Sequence, residues 1–332
     1  MFSPAKRFRG VCRGGQVTGS GVNRLISFIF SCKIGIALVE YLLAYFLEVY
    51  MVRILADSTC DLSPELVKRY DIQILPLLVH LGEEEYRDGV DITPEAIYRW
   101  SDEHRSTPKT SAVAEPDIEA AISKFPPEDE AIMFSISGQM STTENVMRLA
   151  VEALGVEDRV HVIDSQNLST GIGLLVVEAA VLAAQGASAG EIVRRIEELR
   201  PLVRASFVVD TLVFLYRGGR CSGLAAMAGA ALKLHPRIAV VNGAMQAGKK
   251  YRGKLSHVIL SYVKDMEKDL LQARPERVFI THSGCDPETV EQVRQYLRGL
   301  NHFQEILETR AGSVVSSHCG PGTLGVLFIA GE

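Results

Sequence analysis

The chain lacks the features that mark several large function classes. It has one tryptophan in 332 residues and a net charge of −5, so it offers neither a base-stacking platform nor the basic surplus of a nucleic-acid binder. Its six cysteines (Cys12, Cys32, Cys60, Cys221, Cys285 and Cys319) form no CxxC pair, and no Cys/His group has zinc spacing. Scattered thiols of this kind argue against a disulfide scaffold or a structural metal and fit a reducing, cytoplasmic setting. Nucleotide loops are also missing. Gly171-Ile172-Gly173 lacks the third glycine of a dinucleotide fingerprint. The run from Gly243 to Gly248-Lys249-Lys250 comes close to a phosphate loop, but Lys250 stands where a Ser or Thr must hold Mg²⁺, and its context is a hairpin. There is no GxSxG elbow, which disfavours an α/β-hydrolase. No cofactor is expected.

The first fifty residues differ from the rest. Residues 1–24 carry Lys6, Arg7, Arg9, Arg13 and Arg24 with no acid, and read as disordered. Residues 25–50 are apolar and long enough to span a bilayer, but Lys33, Glu40 and Glu48 interrupt them. A Lys or Asp at a span centre costs roughly 2.5–3.5 kcal/mol, with Glu of similar order. We read residues 1–50 as an extension outside the working protein, with Met51 as its start. The competing reading is a membrane anchor or interfacial helix.

From Met51 onward, short apolar runs alternate with amphipathic stretches. Strands are expected over 52–56, 73–80, 131–136 and 160–163, and helices over 64–70, 94–103, 114–124, 144–154, 173–185 and 191–199. Ser63 and Thr93, each followed by proline, are natural helix N-caps. Strands alternating with helices predict βαβ units and a parallel sheet, with ligands at the strands' carboxyl ends. Those ends carry Asp57-Ser58-Thr59, Ser135-Ile136-Ser137 and Asp164-Ser165. After residue 203 the grammar changes. Strands over 205–209 and 237–241, an Asn242-Gly243 hairpin turn with a return over 246–251, helices over 255–271 and 287–300, and strands over 277–281 and 325–330 predict a second α/β domain with a mixed or antiparallel sheet. The expected division is 1–50, 51–203 and 204–332.

Several polar positions could carry chemistry. Thr110-Ser111 lies in a loop behind Pro108, and Ser141-Thr142-Thr143 lies just before a helix. Capping explains both, with Glu144 near the N3 position of the second. Equally, hydroxyls at a helix N-terminus suit a carboxylate or phosphate. Arg217-Gly218-Gly219-Arg220 is either a solvated turn or an anion fork, since Arg matches carboxylate and phosphate geometry. His282 ends a strand before Ser283-Gly284, placed to donate a hydrogen bond or simply satisfied in structure. His318-Cys319-Gly320-Pro321-Gly322 reads as a structural turn. No set of residues composes a readable catalytic constellation.

Eight segments fall in one order: DSTCDL (57–62), PLLVHLGEEEYRDG (76–89), PKTS (108–111), SISGQMSTTENV (135–146), VIDS (162–165), DTLVFLYRGGR (210–220), LKLHPRI (232–238) and HCGPGTLGVLF (318–328). Together they resemble the DegV family across nearly all of 51–332. The resemblance implies a two-domain α/β protein that binds a long-chain fatty acid in an apolar tunnel, with its carboxyl at the domain junction. It implies no catalysis by this chain. A separate ATP-dependent fatty acid kinase subunit would phosphorylate the presented carboxyl for phospholipid synthesis. Carried over by motif, the carboxyl contacts fall on Thr110, Ser111, Ser141, Thr142, Arg220 and His282. Lys250 and Arg252 would face the kinase subunit. Residues 173–185 and 224–234 are candidate tunnel walls. Nucleic acid is not an expected partner, and membrane contact is peripheral or absent. An enzyme acting on a small phosphate or carboxylate ester is the alternative. The chain departs from the family's pattern at TSAVAEP (110–116) and MSTTE (140–144).

Overall fold

The computed structural model describes residues 51–222 and 234–331. The apolar run after Met51 forms strand β1 (Val52–Asp57), and helix α1 (Pro64–Arg69) follows. Ser63 accepts the Leu66 N–H and Pro64 opens the helix, as the sequence predicts. The stretch expected as one strand over 73–80 is two, β2 (Ile72–Leu75) and β3 (Leu78–Leu81), in different sheets. Pro76 lies between them, where it has no N–H to give a ladder. Strand β4 (Glu84–Arg87) was not expected, because its Glu-Glu-Tyr-Arg sequence shows almost no apolar alternation. Next come α2 (Pro94–His104), β5 (Lys109–Ser111), α3 (Glu115–Ile122), β6 (Glu130–Ser135), α4 (Thr143–Leu154), β7 (Val160–Asp164), α5 (Thr170–Ala184) and α6 (Ala189–Leu199). Strands β2-β1-β6-β7 make an all-parallel sheet, and β4-β3-β5 a small antiparallel one. Thr110 therefore sits in an edge strand rather than the expected loop.

The second half runs β8 (Val203–Val208), α7 (Val213–Gly218), β9 (Cys221–Ser222), β10 (Leu234–Val241), β11 (Ala244–Arg252), α8 (Leu255–Asp265), α9 (Glu267–Leu271), β12 (Ala273–His282), α10 (Pro287–Gly299), β13 (Glu305–Arg310), α11 (Ser313–Cys319) and β14 (Leu324–Ala330). Its strands form one mixed sheet in the order β13-β12-β14-β8-β10-β11-β9, as expected for this half. The single helix expected over 255–271 breaks at Met266, which ends α8 and begins α9 with non-helical backbone angles. Strand β13 and helix α11 were not expected. The seven residues of α11 hold only two apolar valines and a cysteine, too few to show a helical period.

Helix α5 joins the halves. It contacts β1 and β6 of the parallel sheet and β8 and β14 of the mixed one. A helix covered on both sides must be apolar all round, and ten of its fifteen residues are buried. Its glycines serve this close approach. A Cβ on Gly173 would lie 2.8 Å from Leu62 Cδ2 and 3.0 Å from the Cys60 carbonyl oxygen. The one acid of α5, Glu178, is paired with Arg274 at 3.3 Å and Arg277 at 3.4 Å on β12. Among the described residues no helix is long and apolar enough to cross a membrane. The readings of residues 1–50, and of 224–233 as a tunnel wall, lie outside the described residues.

Candidate functional site

At the carboxyl ends of the parallel strands, both halves line a cavity of about 340 Å³. Part of its lining is polar: Thr110 and Ser111 of β5, Ser141 and Thr142 ahead of α4, His318 of α11, and Arg220 beyond α7. The other walls are apolar, including Leu77, Ile136, Leu168, Met245, Val314 and Val315. A second, smaller space of about 20 Å³ shares Leu168, Val315 and Cys319 with the first. It continues past Phe207, Ala311 and Leu327. A lining that combines hydroxyls, a histidine and an arginine with apolar walls suits a ligand with one anionic end and a hydrocarbon body.

Of the six residues expected at the mouth, five line this cavity, and they differ in what they can offer. Thr110 Oγ1 lies 2.8 Å from His318 Nε2. Ser111, by contrast, bonds His80 at 2.8 Å through its hydroxyl. Ser141 Oγ lies 2.9 Å from Thr143 Oγ1 and accepts the Thr143 N–H at 3.2 Å. Thr142, at the N-cap position of α4, makes no side-chain cap bond, and Glu144 pairs with Arg148 instead of closing a capping box. Arg220 is exposed, held by a 2.6 Å bond from its guanidinium to the Gly218 carbonyl.

His282 is the exception among the six. It stands at the end of β12 on the wall of the smaller space, and does not line the cavity that holds Thr110. Its Nδ1 accepts the N–H groups of Gly284 at 3.2 Å and Cys285 at 3.3 Å, and its Nε2 lies 3.2 Å from Glu308 Oε1. Nδ1 therefore orders the loop after β12, and Nε2 ties β12 to Glu308 of β13. Burial, with help from Arg310 and Arg294, lowers its pKa to about 4.

The histidine at the mouth is His318, from the segment read as a mere turn. Its pKa is lowered to about 4, first by burial and then by the Arg220 charge, so the ring is neutral near pH 7. With Nε2 on Thr110, its Nδ1 is buried and has no hydrogen-bond partner among the described residues. A Cβ on Gly218 would lie 2.4 Å from that Nδ1, so the first glycine of the Arg-Gly-Gly-Arg motif is required for the ring to sit where it does. That packing was the available signal, because the motif and His318 only make sense together.

Helix α11 is held from its other end by Asp61 and Asp88. Asp61 accepts the Gly312 N–H at 2.7 Å and the Ser169 hydroxyl at 2.5 Å. Asp88 accepts the Ser313 N–H at 2.6 Å and the Ser58 hydroxyl at 2.9 Å. Asp57 accepts the Ile136 N–H at 2.6 Å, at the start of the loop leading to Ser141. Burial raises Asp57 to about 6 and Asp61 to about 8, and also raises Asp88. Lys250 and Arg252 lie on β11, exposed and away from the cavity wall.

These features define a two-lobed α/β protein with a hydroxyl- and histidine-lined mouth over an apolar pocket. The family model described as "uncharacterised protein, DegV family" matches residues 51–331. The chain belongs to the DegV family. It is 32% identical over 276 residues to a DegV domain-containing protein of Deinococcus radiodurans, covering 83% of this chain and 97% of that one. Among solved structures, it superposes on the DegV family protein of Thermus thermophilus, described for its fatty acid binding, with a TM-score of 0.74 and 31% identity. That match covers 84% of this chain and 99% of the other. A stearic acid-binding protein of Eubacterium ventriosum is similar at a TM-score of 0.72 and 27% identity, over 84% and 98% of the two chains.

Proposed function

We propose that this chain binds one long-chain fatty acid, with the carboxylate at Thr110, Ser141, His318 and Arg220 and the acyl chain in the apolar space behind. The observation that carries the reading is one cavity lined from both lobes by hydroxyls, His318 and Arg220 together with apolar side chains. The Thermus and Eubacterium relatives, described as fatty-acid binders, support it. The role of the site residues follows from their chemistry. The hydroxyls and a neutral imidazole N–H donate hydrogen bonds to a carboxylate, and Arg220 supplies charge at the rim. A sixteen-carbon chain buries CH₂ groups at about 0.8 kcal/mol each, so release into water is slow and direct hand-over to a partner is favoured.

That partner, in this reading, is a separate ATP-dependent kinase subunit, contacted through Lys250 and Arg252 in the cytoplasm. The subunit phosphorylates the presented carboxyl, and this chain performs no catalysis. Native mass spectrometry of gently purified, detergent-free protein should show an added fatty-acid mass. Unliganded protein alone would sink the reading. Acyl phosphate, trapped as a hydroxamate, should form only when ATP and the kinase subunit are both added.

A second reading, an ester-cleaving enzyme, has the 2.8 Å Thr110–His318 pair in its favour. Nucleophile–base pairs usually have a third group orienting the base, and His318 Nδ1 has no partner to do so. Turnover of a p-nitrophenyl ester by the isolated chain, lost in Thr110→Val, would favour this second reading.

A further inference from the structure

The loop carrying Ser141 is held from outside its own lobe. The β10–β11 turn has φ of +50° at Asn242 and +80° at Gly243, the left-handed pair of a tight hairpin. Hairpin tips are usually solvated, yet Gly243 is buried. Its carbonyl accepts a 2.7 Å hydrogen bond from Ser137 Oγ, in the N-terminal lobe. Ser137 is itself fully buried and is the hub of the Ser141 loop. Its Oγ accepts the Gln139 N–H at 3.2 Å, and its carbonyl accepts the N–H groups of Met140 at 2.9 Å and Ser141 at 3.1 Å. There is no room to spare at the contact. A Cβ on Gly243 would stand 2.7 Å from Ser137 Oγ and 3.3 Å from the Gln139 Cγ, in a conformation that side chains avoid. Two residues further on, Met245 lines the cavity.

We propose that Ser137 and Gly243 are positioning residues for Ser141: the hairpin tip of the C-terminal lobe fixes the loop through which the N-terminal lobe meets a ligand's carboxylate. This rests on the fatty-acid reading above and assigns a task to the glycine that the near-match to a phosphate loop left unexplained. The hydroxyl of Ser137 and the absent side chain of Gly243 act together. One supplies the bond, and the other lets the turn come close enough to receive it.

The test compares the affinities of hexadecanoate and its methyl ester for the full, delipidated chain by isothermal titration. A general loss of packing weakens both ligands alike, whereas a displaced Ser141 weakens the carboxylate selectively. Ser141→Ala should lower the acid-to-ester affinity ratio about tenfold, the effect of one lost hydrogen bond to a charged group. Ser137→Ala and Gly243→Ala should each lower it by a similar factor, and Ser137→Thr should restore most of it. Ser137→Ala removes a single hydroxyl, so it keeps the test usable should Gly243→Ala misfold. A ratio unchanged in Ser137→Ala and lowered in Ser141→Ala overturns the positioning role. A ratio unchanged in Ser141→Ala overturns the carboxylate reading itself.

Discussion

His282 and His318 are both pushed to a pKa of about 4, mainly by burial, and both are neutral rings at the ends of elements in the C-terminal lobe. By titration they are indistinguishable. By hydrogen bonding they are opposites. His282 receives two backbone N–H groups on one nitrogen and faces Glu308 with the other, so every polar atom of the ring is spent on folding. His318 spends one nitrogen on a hydroxyl at the cavity and leaves the other unpartnered. The difference teaches that a shifted pKa alone does not place a histidine: His318 lines the cavity and meets Thr110 there, whereas His282 does not.

The largest expected effect breaks the comparison on the structural side. His282→Ala strands the N–H groups of Gly284 and Cys285 and leaves Glu308 without its ring partner. Unmade buried hydrogen bonds cost about 1–3 kcal/mol each, so urea unfolding should show a loss in that range or above it. Fatty-acid affinity of the folded fraction should stay within about threefold, under 1 kcal/mol. His318→Ala should do the reverse, weakening fatty-acid binding by about tenfold or more while shifting the unfolding midpoint less than His282→Ala does. If the two variants exchange behaviour, the assignment of His318 to the mouth is wrong.

The pH dependence sharpens the same contrast. Both histidines have folded pKa values below their usual 6.5, so the stability they contribute is present above pH 6.5 and lost as pH falls towards 4. Asp57 and Asp61 act in the other direction. Their folded values of about 6 and about 8 lie above the usual 3.8, so their contribution is full below about pH 4 and is lost as pH rises through 6 and then 8. Unfolding free energy should therefore decline between pH 6.5 and 8, where only the acids still titrate in this set. Asp61→Asn, which keeps an acceptor for the Gly312 N–H, should flatten that decline. A slope unchanged in Asp61→Asn would remove Asp61 from the account.

Much of the fold was legible. Ser63-Pro64 and Thr93-Pro94 announced their helices, and the run over 173–185 announced most of α5. What stayed hidden had physical causes. Strand β4 is charged because it edges a small, solvated sheet, and α11 is too short for a period to appear. The acids Asp57, Asp61 and Asp88 look like ordinary turn residues until the chain returns 225 residues or more later to place Gly312 and Ser313 on two of them. His318 was masked by its own neighbourhood. Gly320-Pro321-Gly322 explains a turn so completely that the histidine before it needs no further reason, until Gly218 is seen packed on its ring.

The smallest expected effect, that of Ser111, is read against its neighbour in β5: both residues line the cavity, but their hydroxyls have different partners. Thr110→Val keeps the shape of the side chain and removes the hydroxyl that His318 Nε2 meets at 2.8 Å. It should weaken fatty-acid binding about tenfold, the effect of one hydrogen bond to a charged group. Ser111→Ala removes a hydroxyl already committed to His80, and should leave affinity within about twofold. Equal losses in the two variants would mean that Ser111 turns from His80 to the ligand. The mouth would then hold both hydroxyls of the Thr-Ser pair, and His318 would lose its claim as the group that selects Thr110 over its neighbour.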